Sequence, residues 1–385
     1  MAEDWRNGGF GLYIHWPFCE AKCPYCDFNS HVSRQIDQKQ WVDAYLAELS
    51  RAAAETPGRV LDSIFFGGGT PSLMDPETVD AIITSARANW SCANSIEITL
   101  EANPGSVEAG RFADYRQAGV NRISMGIQAL HDDDLRRLGR IHTVNEGLAA
   151  FETARNLFDR VSFDLIYARQ HQSLADWRSE LNSALTLGLD HISLYQLTIE
   201  AGTAFGDRYA AGKLRGLPEE ELSADMYQVT QEICTKAGLP AYEVSNHALP
   251  GSESKHNLIY WRYGDYVGIG PGAHGRMSLT NGRFATESFR TPQEWLSKVA
   301  SGSGESLRSK LPASEQAQEF LLMGLRLVEG VDLDRFENLA GHSLDDDVLN
   351  HLKSLDLLQQ SDRRIATTNK GRMVLNGILR ELLIE

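Results

Sequence analysis

The sequence lacks the long apolar run that a membrane span needs. None of its stretches approaches the roughly 18 continuous apolar residues of a transmembrane helix. Residues 1–10, MAEDWRNGGF, have neither the basic start nor the apolar stretch of a signal peptide. These two absences predict a cytoplasmic protein.

Cysteine is also scarce, with five in 385 residues. Three of them, Cys19, Cys23 and Cys26, fall within eight positions, which is too uneven for the disulfide framework of a secreted protein. This cluster predicts metal binding or catalysis. Cys92 and Cys234 stand alone, and we expect them to be small buried side chains.

Positive charge is in deficit, because 37 Lys and Arg stand against 52 Asp and Glu, a net charge of −15. Such a balance argues against a broad basic face for nucleic acid or an anionic membrane. Apolar residues make up 42% of the chain, and the 33 glycines and 12 prolines are ordinary usage, so the disordered and collagen-like classes are excluded. At about 150 residues per domain, the length indicates two folding units.

Short β-branched and aromatic runs recur along the first half of the chain. Helical spacing of apolar residues separates them, as in 38–53 and 174–187. Strand followed by helix, repeated six times, predicts an α/β fold with a parallel sheet. The predicted strands are Leu12–Trp16, Ser63–Phe66, Ile96–Leu100, Arg122–Ile127, Val161–Ile166 and His191–Leu197.

Polar and glycine-rich signals follow these strands. The cysteines come after the first, GGGTP (67–71) after the second and EANP (101–104) after the third, and Gln128 and Asp164 end the fourth and fifth. Ligands gather at the carboxyl ends of parallel strands, so these residues should meet at one face.

The last third of the chain changes in composition. Residues 276–312 are polar and include SGSGES, which predicts a flexible linker. Residues 313–385 show three amphipathic helices, a hairpin and a closing helix over 369–383, an order typical of a winged-helix-like α+β domain. With eight basic against thirteen acidic residues, this unit is expected to cover or dock and not to bind DNA.

The three clustered cysteines admit two chemical interpretations. Their thiolates can ligate three irons of a 4Fe–4S cubane and leave the fourth iron open to chelate a substrate. Alternatively, they can hold a structural zinc ion whose fourth ligand is His15 or His31.

The segment around these cysteines, GLYIHWPFCEAKCPYCDFNS (11–30), resembles the radical S-adenosylmethionine superfamily, and specifically its coproporphyrinogen-oxidase-like branch. The resemblance runs over nearly the whole chain. It implies a partial (β/α)6 TIM-like barrel over 1–275 and a 4Fe–4S cluster on Cys19, Cys23 and Cys26. S-adenosylmethionine would chelate the open iron through its amino and carboxylate groups.

The same resemblance implies a set of S-adenosylmethionine contacts. By themselves, the glycines of GGGTP also fit a tight turn and Glu101 also fits a solvated turn acid. The chain departs from the family after DLIY, where relatives continue Gly-Leu-Pro-Gly-Gln and this chain has ARQHQ (168–172), which puts the local turn in doubt. The implied contacts are Tyr13, Tyr25, Gly68, Gly69, Thr70, Glu101, Gln128, Arg140 and Asp164.

A second motif, HNxxYW, comprises His256, Asn257, Tyr260 and Trp261. Imidazole is a common axial ligand of haem iron, and aromatic rings offer a flat apolar surface to a porphyrin. The alternative is a polar turn cap with the two aromatic rings packed in the core. The string resembles the motif of the haem chaperone group within this branch, which implies His256 as haem ligand, with His274 as a second candidate.

Two further features separate the chaperone group from the true oxidases of this branch. The oxidases resemble the chain in the barrel but carry a fourth cysteine where this chain has Phe28, and they begin with an extra segment before the first strand. The resemblance therefore favours a chaperone that accepts haem and delivers it to acceptors such as respiratory membrane haemoproteins. Radical cleavage of S-adenosylmethionine, a purely structural cofactor role and a homodimer all stay open. The alternatives are an oxygen-independent coproporphyrinogen III oxidase and a zinc-stabilised interaction protein.

Overall fold

A computed structural model of the chain describes residues 3–33 and 35–383. Its strands are β1 Phe10–Trp16, β2 Phe18–Cys19, β3 His31–Val32, β4 Val60–Gly68, β5 Ser91–Ala102, β6 Arg122–Gln128, β7 Arg160–Tyr167, β8 His191–Gln196, β9 Asn246–Ala248, β10 Asp265–Ile269, β11 His274–Leu279, β12 Gly282–Ser288, β13 Glu305–Lys310, β14 Val331–Asp332, β15 Leu358–Ser361 and β16 Arg364–Thr367. Its α-helices are α1 Gln38–Glu55, α2 Pro76–Asn89, α3 Ser106–Gly110, α4 Phe112–Ala118, α5 Asp132–Arg137, α6 Val144–Leu157, α7 Leu174–Leu185, α8 Ala204–Ala210, α9 Glu220–Lys236, α10 Lys255–Trp261, α11 Pro292–Ala300, α12 Ala313–Gly324, α13 Leu333–Ala340, α14 Asp346–Ser354, α15 Asn369–Met373 and α16 Leu375–Leu383.

The six predicted strands form the parallel centre of one large sheet. They lie in the order β1-β4-β5-β6-β7-β8, and each adjacent pair is parallel. Helices connect these strands along the chain, as right-handed parallel crossovers require. The α/β class and the parallel (β/α)6 arrangement predicted from the sequence are confirmed.

Alternation along the strands makes the barrel apolar outside and polar inside. In β1, Leu12 and Ile14 pack in the hydrophobic core under the helices, whereas Tyr13 and His15 line a cavity on the opposite face. Successive side chains of a strand point to opposite faces, so the polar positions of neighbouring strands collect within the barrel.

The segment 276–312, predicted to be a flexible polar linker, is instead ordered structure. It completes β11 and contains β12, α11 and β13, which extend the sheet beyond β1 through the parallel strand β10 in the order β13-β12-β11-β10-β1. In α11, Trp295 stacks on Trp41 of α1 with ring centroids 5.5 Å apart. The linker prediction was wrong because β13 is largely exposed and polar, while β12 contains polar residues, such as Arg283, that are buried through hydrogen bonds. SGSGES covers only the turn from α11 into β13 and the first residues of that strand.

The C-terminal unit packs α12, α13, α14 and α16 around a small sheet of order β14-β16-β15. Its core includes Phe320, Leu325 and Phe336. The single closing helix expected over 369–383 is divided at Val374 into α15 and α16. The unit is joined to the barrel by ion pairs, among them Arg276–Glu319 at 2.8 Å and Arg335–Asp4 at 2.8 Å.

We also asked whether the chain contains a membrane-crossing element. None of the helices within residues 3–33 and 35–383 combines the length and the apolar composition that crossing a bilayer requires.

Candidate functional site

The cysteine loop and the glycine-rich loop are tied together at the carboxyl edge of the sheet. The backbone N–H of Gly69 donates to the Trp16 carbonyl at 2.6 Å, and that of Thr70 donates to the Phe18 carbonyl at 2.8 Å. Because Phe18 directly precedes Cys19, these bonds fix the start of the cysteine loop against the end of β4. The predicted convergence of the first two loops is therefore present.

Arg140 joins the third and fourth loops to the cysteines. Its guanidinium donates to Asn103 Oδ1 at 2.6 Å, to the Gly126 carbonyl at 2.8 Å and to Cys23 Sγ at 3.5 Å. Its Nε atom is buried and has no hydrogen-bond partner among the described residues. A buried unpaired donor is costly, so this N–H is a natural contact for the carboxylate of a bound molecule.

The three cysteine side chains fit the donor set of a cubane. Burial raises the pKa of the Cys19 and Cys26 thiols; hydrogen bonds from Thr70 and Ser30 oppose this at Cys19, as the Phe28 backbone does at Cys26. These thiols must therefore lose protons when they bind iron.

The positions of the side chains fit a single zinc ion less well than they fit a cubane. In the part of the chain that the structure describes, no three His, Cys, Asp or Glu side chains converge as ligands of one metal ion. A cubane needs no such convergence, since each thiolate binds a different iron. His15 is engaged elsewhere, because its ring nitrogens lie 3.0 Å from the Tyr13 hydroxyl and 2.9 Å from the Asn29 carbonyl.

Gly68 has a backbone that only glycine adopts readily. Its φ is +109°, and a Cβ there would lie 2.6 Å from the His15 ring. Gln128 also has a positive φ, of 73°, and its side-chain amide turns back beside Gly126. The last residues of β4 and β6 thus both have a left-handed backbone conformation at the edge where the loops meet.

Glu101 and Asp164 place two carboxyl groups on the polar inner face. Burial, and then the neighbouring Asp164 carboxylate, raise the pKa of Glu101 to about 8. Burial likewise raises the pKa of Asp164 to about 6, although a hydrogen bond from Ser193 and the positive charges of Arg122 and Arg140 oppose the rise. A cationic ligand beside these carboxyl groups would lower their pKa values and favour their ionised forms. The pair is therefore suited to a ligand that carries positive charge.

The two tyrosines expected to flank the cofactor lie in β1 and in the cysteine loop. The Tyr13 ring stacks on Phe65 with centroids 6.3 Å apart, and burial raises the pKa of its hydroxyl. Tyr25 lies in the cysteine loop with its ring 6.4 Å from that of Phe205, and burial also raises its pKa.

A cavity of about 530 Å³ opens beside this cluster of loops. It extends from Gly68 and Glu101, past residues 27–29 of the cysteine loop, to the β10–β11 turn and helix α12 of the C-terminal unit. Tyr260 and Trp261 of the HNxxYW motif line it, whereas His256 and Asn257 do not.

His256 lies inside the barrel wall. One ring nitrogen is 2.7 Å from Ser63 Oγ and the other is 2.6 Å from the Tyr260 hydroxyl. The ring also stacks on Phe65, with centroids 4.9 Å apart. Both ring nitrogens of His256 are therefore hydrogen-bonded in this conformation, and ligation of haem iron by His256 would require one of these bonds to break.

The departure at 168–172 builds a buried ionic network. Arg169 donates to Glu180 at 2.6 Å, to Asp134 at 2.9 Å and to the Ile166 carbonyl at 2.5 Å. Ala168 and His171 adopt positive φ values of 57° and 63° in this turn. The substitution is therefore accommodated by structure next to α7.

Sequence reasoning missed Asn103 as part of the site. It bridges Arg140 and Thr70, donating to Thr70 Oγ1 at 3.1 Å. The signal was present, because Asn103 lies in the EANP segment that was noted for Glu101.

Comparison with known proteins was made on sequence and on fold. Residues 13–183 match the family model "Radical SAM superfamily" and residues 311–374 match "HemN C-terminal domain". The chain is 38% identical to "Heme chaperone HemW" of Escherichia coli over 97% of this chain and 98% of that protein. It is 36% identical to "Radical S-adenosyl methionine domain-containing protein 1, mitochondrial" of Danio rerio over 97% of this chain and 87% of that protein.

A solved structure confirms the fold. Coproporphyrinogen III oxidase (HemN) from Escherichia coli superposes with a TM-score of 0.81 at 21% identity, covering 99% of this chain and 92% of that one. Membership of the superfamily implies S-adenosylmethionine and a 4Fe–4S cluster. The chain therefore belongs to the radical S-adenosylmethionine superfamily, in the HemN-like group whose curated bacterial members are named heme chaperone HemW.

Proposed function

We propose that the chain is a haem chaperone, which binds a 4Fe–4S cluster and S-adenosylmethionine, accepts haem and passes it to acceptor haemoproteins. The observation that carries this proposal is the cavity, which joins the polar strand ends to the aromatic half of the HNxxYW motif. A flat apolar ligand with charged edges suits a pocket that has aromatic walls and a few polar groups.

In this proposal, Cys19, Cys23 and Cys26 hold the cluster. S-adenosylmethionine binds through the strand-end residues. Glu101 and Asp164 offer carboxyl groups to its positive charge, and the free Nε–H of Arg140 donates to its carboxylate. When bound, the cluster and S-adenosylmethionine supply one-electron chemistry, which the cofactors and not the side chains provide. The other proposed contacts are Tyr13, Tyr25, Gly68, Gly69, Thr70 and Gln128.

The chain's own residues then order the cavity wall. The Thr70, Asn103 and Arg140 hydrogen bonds connect the cysteine loop to three strand ends, so filling that loop fixes the position of residues 27–29. These residues line the cavity, and cluster loading should therefore change haem affinity.

The test uses full-length protein reconstituted anaerobically with iron and sulfide. We expect saturable haem binding and transfer of that haem to apomyoglobin, followed by absorbance. In parallel, the protein is incubated with S-adenosylmethionine, dithionite and coproporphyrinogen III beside a known oxidase. Absence of product supports the chaperone, whereas protoporphyrinogen formation over many turnovers overturns it in favour of the oxidase.

A triple variant C19S/C23S/C26S serves as the matched control for the cluster, with C92S as the control for cysteine loss in general. The triple variant should lose all iron–sulfur absorbance and C92S should keep it. Equal cluster content in both would remove the three cysteines from the proposal.

A further inference from the structure

The cavity contains a different histidine, and its surroundings differ from those of His256. Resting on the proposed haem-chaperone function, the geometry points to His274 as the axial ligand of haem iron and to Arg290 as the cation that receives a haem propionate. The site lies between the cysteine loop, the start of β11 and helix α12.

His274 is free where His256 is engaged. It is the first residue of β11, is exposed and lines the cavity. Among the described residues its ring makes no hydrogen bond, so a ring nitrogen is available to iron. Its backbone is held firmly, because Gly268 of β10 approaches so closely that a Cβ would lie 1.9 Å from the His274 carbonyl oxygen.

The walls around His274 suit a flat apolar molecule. Phe28 is 57% exposed although it is a large apolar residue, and it faces the cavity from the cysteine loop. Tyr260 and Tyr266 meet edge to face at 4.4 Å, and Trp261 lines the cavity beside them. One exposed and three half-buried aromatic side chains that line one pocket indicate a ligand and not a core.

The charges at the rim fit the acidic edge of a porphyrin. Arg290 is exposed, and within the described part of the chain no carboxylate lies within salt-bridge distance of its guanidinium. Arg276 also lines the cavity, but Glu319 of α12 accepts from its guanidinium at 2.8 to 3.2 Å. Asp27, Glu101 and Glu319 are the acidic groups that face the same space. Arg290 is thus the arginine that can pair with a haem propionate. Arg276 could do so only if its ion pair with Glu319 were broken.

This position places the ligand next to the cluster. Phe28 is two residues from Cys26, so a haem held against Phe28 contacts the loop that carries the iron ligands. The two binding events should influence each other equally, since coupling between sites is reciprocal.

The decisive experiment is a haem titration of cluster-loaded full-length protein and of H274A, followed at the Soret band. H131A is the matched control, because His131 is exposed and its side chain caps nothing in α5. We expect H274A to lose about tenfold or more in affinity and to shift the Soret band. H131A should titrate like the unchanged protein. Circular dichroism and iron content verify that each variant folds and holds its cluster.

A second arm tests Arg290 with haem and haem dimethyl ester. R290A should weaken binding of haem, whose propionates are charged, and should leave binding of the neutral ester unchanged. Equal weakening for both ligands would show that Arg290 acts through structure alone.

The outcomes separate this inference from the proposed function. If H274A binds haem with unchanged affinity and an unchanged Soret band, His274 is not the ligand, while the chaperone function stands. If the unchanged protein shows no saturable haem binding, the proposed function itself fails.

Discussion

Two walls of the barrel contain histidine and aromatic side chains, and they differ in whether their polar atoms are satisfied. Around His256, both ring nitrogens have partners within the wall, at Ser63 and Tyr260. Around His274, the ring makes no hydrogen bond among the described residues and Arg290 has no carboxylate partner there. A buried polar group with all its partners supports the fold, whereas polar groups left open around a cavity await a ligand.

The same distinction separates the two ionic clusters of the barrel. Arg169 and Glu180 are both buried and form an ion pair at the turn after β7, although the Nε of Arg169 has no hydrogen-bond partner among the described residues. Glu101 and Asp164 are carboxyl groups whose pKa values are raised because burial outweighs their charge partners. The first cluster is therefore paired within the chain, whereas the second is not.

The largest loss of unfolding free energy should come from breaking the Arg169–Glu180 ion pair. Replacing Arg169 by Met leaves Glu180 buried without its main partner, and breaking such a buried pair costs about 3–5 kcal/mol of unfolding free energy. The matched control is R363M, which removes an exposed arginine paired with Glu337 and should change the unfolding free energy far less, because solvent screens exposed ion pairs. Urea unfolding of both variants measures the difference, and equal losses would contradict the comparison.

A smaller effect should follow from removing one partner of His256. Ser63→Ala leaves a buried ring nitrogen unpaired, which costs about 1–3 kcal/mol. Ser50→Ala is the control, since Ser50 Oγ donates only to the exposed Leu46 carbonyl. Thermal unfolding gives the stability change. Because we assign His256 to the wall, haem affinity should be the same in both variants; loss of haem binding in S63A alone would return His256 to the ligand site.

Much of the fold could be predicted from the sequence, because its central strands are buried on both sides. Runs such as those of β1 and β7 are mostly apolar or aromatic and mostly buried, and the helices between them show clear spacing of apolar residues. Strands β12 and β13 were missed because their polar composition shows no hydrophobic period. Arg283 of β12 is buried through hydrogen bonds to the Tyr263 and Gly264 carbonyls, and β13 is an exposed strand at the edge of the sheet.

The candidate site could be predicted in its membership but not in its contacts. Strand-end placement was enough to expect Thr70 and Glu101 near one another, and the family resemblance added Arg140. Which histidine is free could not be predicted, because the partners of His256 come from β4, 193 residues earlier in the chain, and from the next turn of its own helix. Only the tertiary structure shows that His256 is engaged and that His274 is open.

The smallest effect concerns the incomplete carboxyl pair. In the folded chain, the pKa of Glu101 is about 8, compared with an ordinary value of 4.5. Between these values the unfolded chain releases a proton that the folded chain keeps, so the contribution of Glu101 to the unfolding free energy falls as pH rises through this window and levels off above about pH 8. Asp164, with a pKa of about 6, contributes only to the lower part.

A comparison with Glu101→Gln isolates Glu101. Burial lowers the pKa values of His15 and His256 in the folded chain to about 4 and about 3, whereas the unfolded rings keep the ordinary value of 6.5, so these histidines raise the unfolding free energy with pH by the same amount in both proteins. Urea unfolding of ligand-free protein and of E101Q between about pH 6.5 and 8 should therefore give a difference in unfolding free energy, unchanged protein minus E101Q, that has a negative slope, whereas the exposed control Glu221→Gln should give no such difference. Glu101 borders the cavity, where water and salt screen its charge, so the slope should lie well below the roughly 1.4 kcal/mol per pH unit of one fully linked proton. Parallel pH profiles for the unchanged protein and E101Q would show that the folded chain does not raise the pKa of Glu101. Glu101 would then belong, like Glu180, to the carboxyl groups that have a charge partner within the chain.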